Sequence, residues 1–112
     1  MAITNALIGN TDTTLLTVPA GKRYAITNIL VCNNEVINPL QEEAGTTNFD
    51  MHFVKDGDAK NTANMVIRSL SMPAGETFAF DNERVVLEQG DRIVFLGESP
   101  TVLSATVSYW EV

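Results

Sequence analysis

Hydrophobic residues recur at every second position along most of this chain, the pattern of β-strands that bury one face. The segment 48–54 shows it most clearly, with Phe49, Met51 and Phe53 on one side and His52 on the other. No segment has a convincing apolar stripe at the three- and four-residue spacing of an amphipathic helix. The sequence therefore predicts an all-β protein.

Turn sequences divide the chain into about eight short strands. Asp56-Gly57 is a strong hairpin signal, because glycine accepts a positive φ. Pro-Ala-Gly occurs at 19–21 and again at 73–75, where we expect equivalent corners with Pro at the second turn position. Residues 34–47 are predicted to be a surface loop. The strand segments that the pattern marks are 22–33, 48–54, 65–70, 77–80, 84–87, 92–96 and 101–111.

The length and the number of strands indicate one domain, 1–112, built as an antiparallel β-sandwich. Eight strands in two sheets suit a jelly roll. An immunoglobulin-like sandwich is less suitable, because the chain has only Cys32 and a C-terminal Trp110 in place of the Cys-Trp-Cys core.

Charge limits the partners that this chain can have. Fourteen acidic and seven basic residues give a net charge of −7, which opposes binding to nucleic acid or to an anionic membrane. No apolar run approaches the roughly 18 residues of a membrane span. The N-terminus has no signal-peptide pattern, so we expect a protein made and kept soluble.

The residues that could carry chemistry are few. One histidine and one cysteine cannot build the usual zinc sites. We expect Cys32 to be a small core residue and His52 to be an exposed strand residue. The pair Glu42-Glu43 is expected to be solvated in its loop, since catalysis would need the two carboxylates to flank a cleft.

Calcium binding is an open alternative at the Asp56-Gly57-Asp58 turn, although a hairpin tip with solvated acids is favoured. No Gly-x-Ser-x-Gly elbow or phosphate-binding glycine loop is present. We therefore predict no catalytic, cofactor-binding or metal-binding residues, no cofactor, and no enzymatic activity.

Several strands carry apolar residues on both faces, which predicts an interaction surface. In the segment 92–96, Val94 and Leu96 lie on one face of the strand and Ile93 and Phe95 lie on the other. In the segment 84–87, Val86 lies on the face opposite to its apolar neighbours in the same strand. A two-layer sandwich buries one face of each strand, so the other face needs cover from a neighbouring molecule. Alternation places Trp110 on the Ser/Thr face of the last strand. There it could be an interface residue, a cap on the open end of the sandwich or part of a glycan site, in that order of preference. The predicted interface residues are Trp110, Val94, Leu96 and Val86, and the expected assembly is a homotrimer.

The run 16–33, with its Pro-Ala-Gly-Lys-Arg-Tyr turn, resembles the opening of small virion structural proteins of tailed bacteriophages. The turn at 73–77, the Leu-x-x-Gly-Asp-x-Ile sequence at 87–93 and the closing Ser/Ala/Val strand at 102–109 extend the resemblance over nearly the whole chain. It implies a capsid-decorating or tail-associated subunit, located in the virion after assembly in the host cytoplasm. Other virion proteins would be its partners. The alternative is the carbohydrate- or receptor-binding head of a tail fibre, for which a glycan is the ligand.

Overall fold

The computed structural model describes residues 2–41, 44–80, 85–100 and 102–112. These ranges contain nine strands, a 3₁₀ turn at Thr62–Asn64 and no α-helix. The strands are β1 (Ala2–Ile8), β2 (Thr13–Thr17), β3 (Tyr24–Asn33), β4 (Thr47–Val54), β5 (Met65–Met72), β6 (Thr77–Phe80), β7 (Val85–Leu87), β8 (Arg92–Gly97) and β9 (Leu103–Glu111).

The strands form two antiparallel sheets that pack face to face. Sheet A has the order β1-β9-β3-β6, and sheet B has the order β2-β8-β4-β5. Strand β7 also pairs with β3. It lies beside the first residues of β3, while β6 lies beside the last residues of β3. The two short strands therefore share one edge position, and each sheet has four positions, as in a jelly roll of two Greek keys. The prediction of an antiparallel, jelly-roll-like sandwich is confirmed.

The sequence pattern located seven of these strands and did not mark β1 and β2. Strand β1 lies at the edge of sheet A, and most of its side chains are exposed or half-buried. Its alternation is weak for that reason, since only Ile8 is fully buried. Some predicted features lie outside the described residues. They are the pair Glu42-Glu43, the turn at Asp81-Asn82, and the strand ends at Arg84 and Thr101.

The inward faces of the two sheets form one continuous core. Ile29 and Val107 from sheet A meet Phe49, Ile93 and Phe95 from sheet B, and none of these five side chains has measurable exposure. The ring centroids of Phe49 and Phe95 are 5.9 Å apart, within the range of favourable tilted pairs. Burial of one face of every strand is what holds the sheets together.

A β-bulge in β3 changes which side chains enter the core. The pairing of β3 with β9 shifts between Ile26 and Asn28, so that Thr27 is an extra residue. Ile26 and Ile29 are three positions apart, yet both join the core. Strict alternation from the sequence would place them on opposite faces, and that assignment is wrong because a bulge inserts one residue into the strand.

The two Pro-Ala-Gly segments form equivalent corners, as expected. Lys22 N donates to Pro19 O at 3.2 Å, and Glu76 N donates to Pro73 O at the same distance. The proline is thus the first residue of each turn and not the second. Gly21 and Gly75 occupy the third position with φ of 78° and 77°, which a type II turn requires. The Asp56-Gly57 turn is also present, closed by Asp58 N donating to Lys55 O.

Asn33 joins three separate segments at one end of the sandwich. Its buried side-chain amide donates to Gly45 O and to Met72 O, both at 2.8 Å, and its side-chain oxygen accepts from Glu35 N. Glu35 and Gly45 lie in the loop that follows β3, and Met72 is the last residue of β5. The Asn33 side chain therefore ties both parts of this loop to the end of β5. Buried amides satisfied in this way give a loop a defined position.

We predict that Asn33→Asp lowers the free energy of unfolding by about 3 kcal/mol or more, because a carboxylate would face two carbonyl oxygens with no proton to donate. Urea unfolding at neutral pH measures the change. Asn10→Asp makes the same chemical change at an exposed loop position and should alter stability little. Equal stability of the two variants would contradict the role assigned to Asn33.

Candidate interaction surface

The outward face of sheet A carries no charged side chain at any of the strand positions that the structure describes. Cross-strand partners identify it, because directly opposed residues of antiparallel strands point to the same side. Its members are Ile3, Asn5 and Leu7 of β1, Ser104, Thr106, Ser108 and Trp110 of β9, Ala25, Asn28, Leu30 and Cys32 of β3, Thr77 and Ala79 of β6, and Val86 of β7.

Large apolar residues stand out from this face. Ile3 and Leu7 of β1 and Leu30 of β3 are exposed there. Strand β9 runs between β1 and β3 and places serine and threonine hydroxyls between these side chains. An extended surface without charge is unusual on a chain with a net charge of −7. Depletion of charge together with exposed apolar side chains is the composition of an interface centre.

The outward face of sheet B differs in chemistry. Asp50 and Leu96 oppose each other there, and Arg92 lies opposite Val54 and Thr17. Charged groups also make hydrogen bonds on this side: Asp50 Oδ1 accepts from Ser69 N, and the Arg92 guanidinium donates to Asp58 O. Charged groups and their hydrogen bonds occupy part of this face, so sheet A is the stronger candidate for protein contacts.

The four residues predicted as an interface do not form one surface. Trp110 and Val86 are 51% and 54% exposed, and both belong to the outward face of sheet A, where each opposes Ala25. Val94 and Leu96 belong to the outward face of sheet B. Leu96 is half-buried.

The expectation for Val94 is corrected by its burial within a single chain. Val94 is 4% exposed although it lies outside the core cluster between the sheets. Its neighbours in the sheet are Thr14 and His52, and the ion pair between Lys60 and Asp12 lies near them. The chain therefore covers this apolar side chain itself, which leaves no surface at Val94 for a partner.

His52 is buried and not exposed, contrary to the sequence expectation. It is 2% exposed on the outward face of sheet B, and its Nδ1 has no hydrogen-bond partner among the described residues. Burial lowers the pKa of His52 below its usual 6.5, and the nearby Lys60 lowers it further, while Asp50 and Asp12 act in the opposite direction. The imidazole is therefore neutral at pH 7.

Cys32 also differs from expectation, since it is half-buried on the outward face of sheet A and is not in the core. Within the described part of the chain, no group of three or more His, Cys, Asp or Glu side chains could hold a metal ion. Asp56 and Asp58 lie in an exposed turn, where Asp56 N donates to Asp91 Oδ1. The described residues also include no helix long and apolar enough to cross a membrane.

Comparison of the sequence with models of protein families gives no match, and comparisons with curated proteins and with solved structures give none either. Residue chemistry and geometry therefore carry the functional argument. Sequence reasoning named Trp110 and Val86, which lie on the outward face of sheet A, and did not name Ile3 and Leu7, because they belong to an edge strand that the pattern did not mark.

We predict that the stability of the protein falls as the pH is lowered through the titration of His52. Its folded pKa lies below the unfolded value of about 6.5, so the unfolded state takes up the proton first and stability declines below that pH. Urea unfolding between about pH 8 and pH 5.5 measures the effect. His52→Gln cannot titrate, so its stability should change less over the same range. Identical pH dependence of the two proteins would contradict this prediction.

Proposed function

We propose that this protein is a non-enzymatic structural subunit of a tailed-phage virion, either capsid-decorating or otherwise attached to the particle, that acts through protein–protein contacts. The observation that carries the proposal is the uncharged, partly apolar outward face of sheet A. The resemblance of the turn and strand sequences to small virion proteins supports the choice of particle. The proposed site of action is the virion, after assembly in the host cytoplasm.

A second copy of the chain is the partner that this face fits best. Two copies that each carry a charge of −7 repel one another at most orientations. No acidic side chain projects from the described strand positions of the outward face of sheet A, so contact there avoids that repulsion. The exposed Leu7 and Leu30 would then be removed from water. Closed association avoids open fibres, and the resemblance to small virion proteins implies a ring of three as the first expectation.

The size of the face indicates that a second element takes part. Four strands about 4.8 Å apart and seven residues long present a projected area of roughly 450 Å². A stable interface buries about 800 Å² on each partner. Strand β3 ends at the same end of the sheet as Leu7, with β9 between them, and the segment 34–41 that follows exposes Val36 and Leu40 almost completely. We include Val36 and Leu40 in the proposed contact because they add apolar area at this end of the sheet.

We predict that Leu30→Asp and Leu7→Asp each raise the dissociation constant of the oligomer at least tenfold, on the order of 1.4 kcal/mol or more, because each places a negative charge on every copy of the shared face. Sedimentation velocity and light scattering at micromolar concentration measure the change. Val66→Asp is the matched control, since Val66 is an exposed apolar residue of β5 in sheet B. A wild-type protein that is monomeric at micromolar concentration would refute self-association.

We also predict that antibodies against the protein label intact purified phage particles, because a particle-attached subunit must be present in every virion. Immunogold electron microscopy shows whether the label lies on the capsid or at the tail. Label at the tail tip would favour the receptor-binding alternative over capsid decoration. Particles that contain none of the protein by mass spectrometry would refute the virion role.

A further inference from the structure

A hollow of about 440 Å³ lies at the end of sheet A where β3 starts and β9 finishes. Its lining consists of Tyr24, Tyr109 and Trp110, with Lys22, Glu111 and Ala2 at its sides. Small-molecule sites commonly have volumes of roughly 300–1,000 Å³. The size of this hollow suits a ligand of one or two rings.

Three aromatic residues line this hollow, namely both tyrosines and the only tryptophan. Tyr24 also belongs to the core between the sheets and Tyr109 packs against that core, so packing holds the two tyrosine rings in place. The ring centroids of Tyr24 and Tyr109 are 4.4 Å apart with an angle of 30° between their planes, and Trp110 stands half-exposed beside them. Rings of this kind combine a flat apolar surface with a hydrogen-bonding group.

Polar groups at the hollow are available to a ligand. Tyr24 lines the hollow with a side chain that is 7% exposed. Tyr109 Oη lies 3.4 Å from Thr4 Oγ1. Lys22 Nζ and Glu111 Oε2 are 3.6 Å apart at an exposed position, where such a pair contributes little to stability. A ligand can therefore exchange hydrogen bonds with these groups at small cost.

We propose that this hollow is a carbohydrate-binding site for a neutral pyranose sugar at the end of a glycan. The C–H face of a pyranose ring is apolar and fits the Trp110 indole, and its hydroxyls can accept from and donate to Tyr24, Lys22 and Glu111. One cation and one anion balance each other at the site, and the net negative charge of the chain opposes an anionic sugar. The site would add glycan recognition to a structural subunit.

Trp110 is the only tryptophan, so its fluorescence reports on this site alone. Titration with maltose, cellobiose, lactose and chitobiose should show a saturable blue shift with at least one of them, with a dissociation constant on the order of 1 mM. Saturation-transfer NMR provides a second readout that does not depend on the fluorophore. No saturable response to any of the four disaccharides by either method would overturn the proposal.

Two variants test the residues that carry the argument. Tyr24→Phe removes only the hydroxyl and should weaken binding about fivefold, the usual effect of one lost hydrogen bond. Trp110→Ala should abolish the NMR signal, and its thermal unfolding should match the wild type because Trp110 is half-exposed. Val66→Ser changes an exposed residue of sheet B that lies outside the hollow and outside the proposed contact face, so it should leave binding unchanged. Full binding by both Tyr24→Phe and Trp110→Ala would place the sugar elsewhere and overturn the assignment.

The same titration on Leu30→Asp separates this proposal from self-association. Leu30 does not line the hollow, so the monomeric variant should still bind the sugar. Loss of sugar binding in that variant would show that the site exists only in the oligomer and would overturn the assignment to a single chain.

Discussion

The packing of two sheets through one face of each strand is the constraint on which the rest of this structure depends. A pleated strand presents its side chains to both sides, and only one side can enter a core between two layers. Ile29, Phe95 and Val107 are among the side chains that fill that core, and none of the three has measurable exposure. The opposite side of each strand is then left to water, to other segments of the chain or to another molecule, so the chemistry of the two outward faces decides what the protein can contact.

The two outward faces respond to this constraint in different ways. On sheet B, the chain covers its own apolar residue, since Val94 is buried beside His52 and near the Lys60–Asp12 ion pair. On sheet A, Leu7, Leu30 and Val86 remain exposed, and no charged side chain projects from the described strand positions between them. The presence of apolar residues on both faces of a strand is therefore not sufficient evidence of an interface. The surroundings of each residue decide whether a partner is needed.

Alternation predicted the sandwich because period two survives in most strands, but it could not predict where the period breaks. The bulge at Thr27 brings Ile26 and Ile29 to the same side, and no residue in that run marks the extra position. Strand β1 was missed since an edge strand with one fully buried residue has little pattern to show. The charges of Lys60 and Asp12, from two other segments of the chain, act on the pKa of the buried His52, and no local pattern contains that proximity. The hollow likewise joins Tyr24 to Tyr109 across 85 positions, a proximity that only the pairing of β3 with β9 creates.

The direction of β3 relates the two proposed sites to each other. Tyr24, at the start of the strand, lies at the hollow, and Asn33, at its end, holds the loop that exposes Val36 and Leu40. Nine residue steps of about 3.3 Å place these ends roughly 30 Å apart. Contacts made by the loop and by the neighbouring part of sheet A would leave the hollow open to solvent. Trp110 lies on the boundary, because it belongs both to the outward face and to the hollow. An assembly that extended over the whole face would cover Trp110 and compete with a sugar, whereas one centred on Leu7 and the loop would present the hollow at the free end of each subunit.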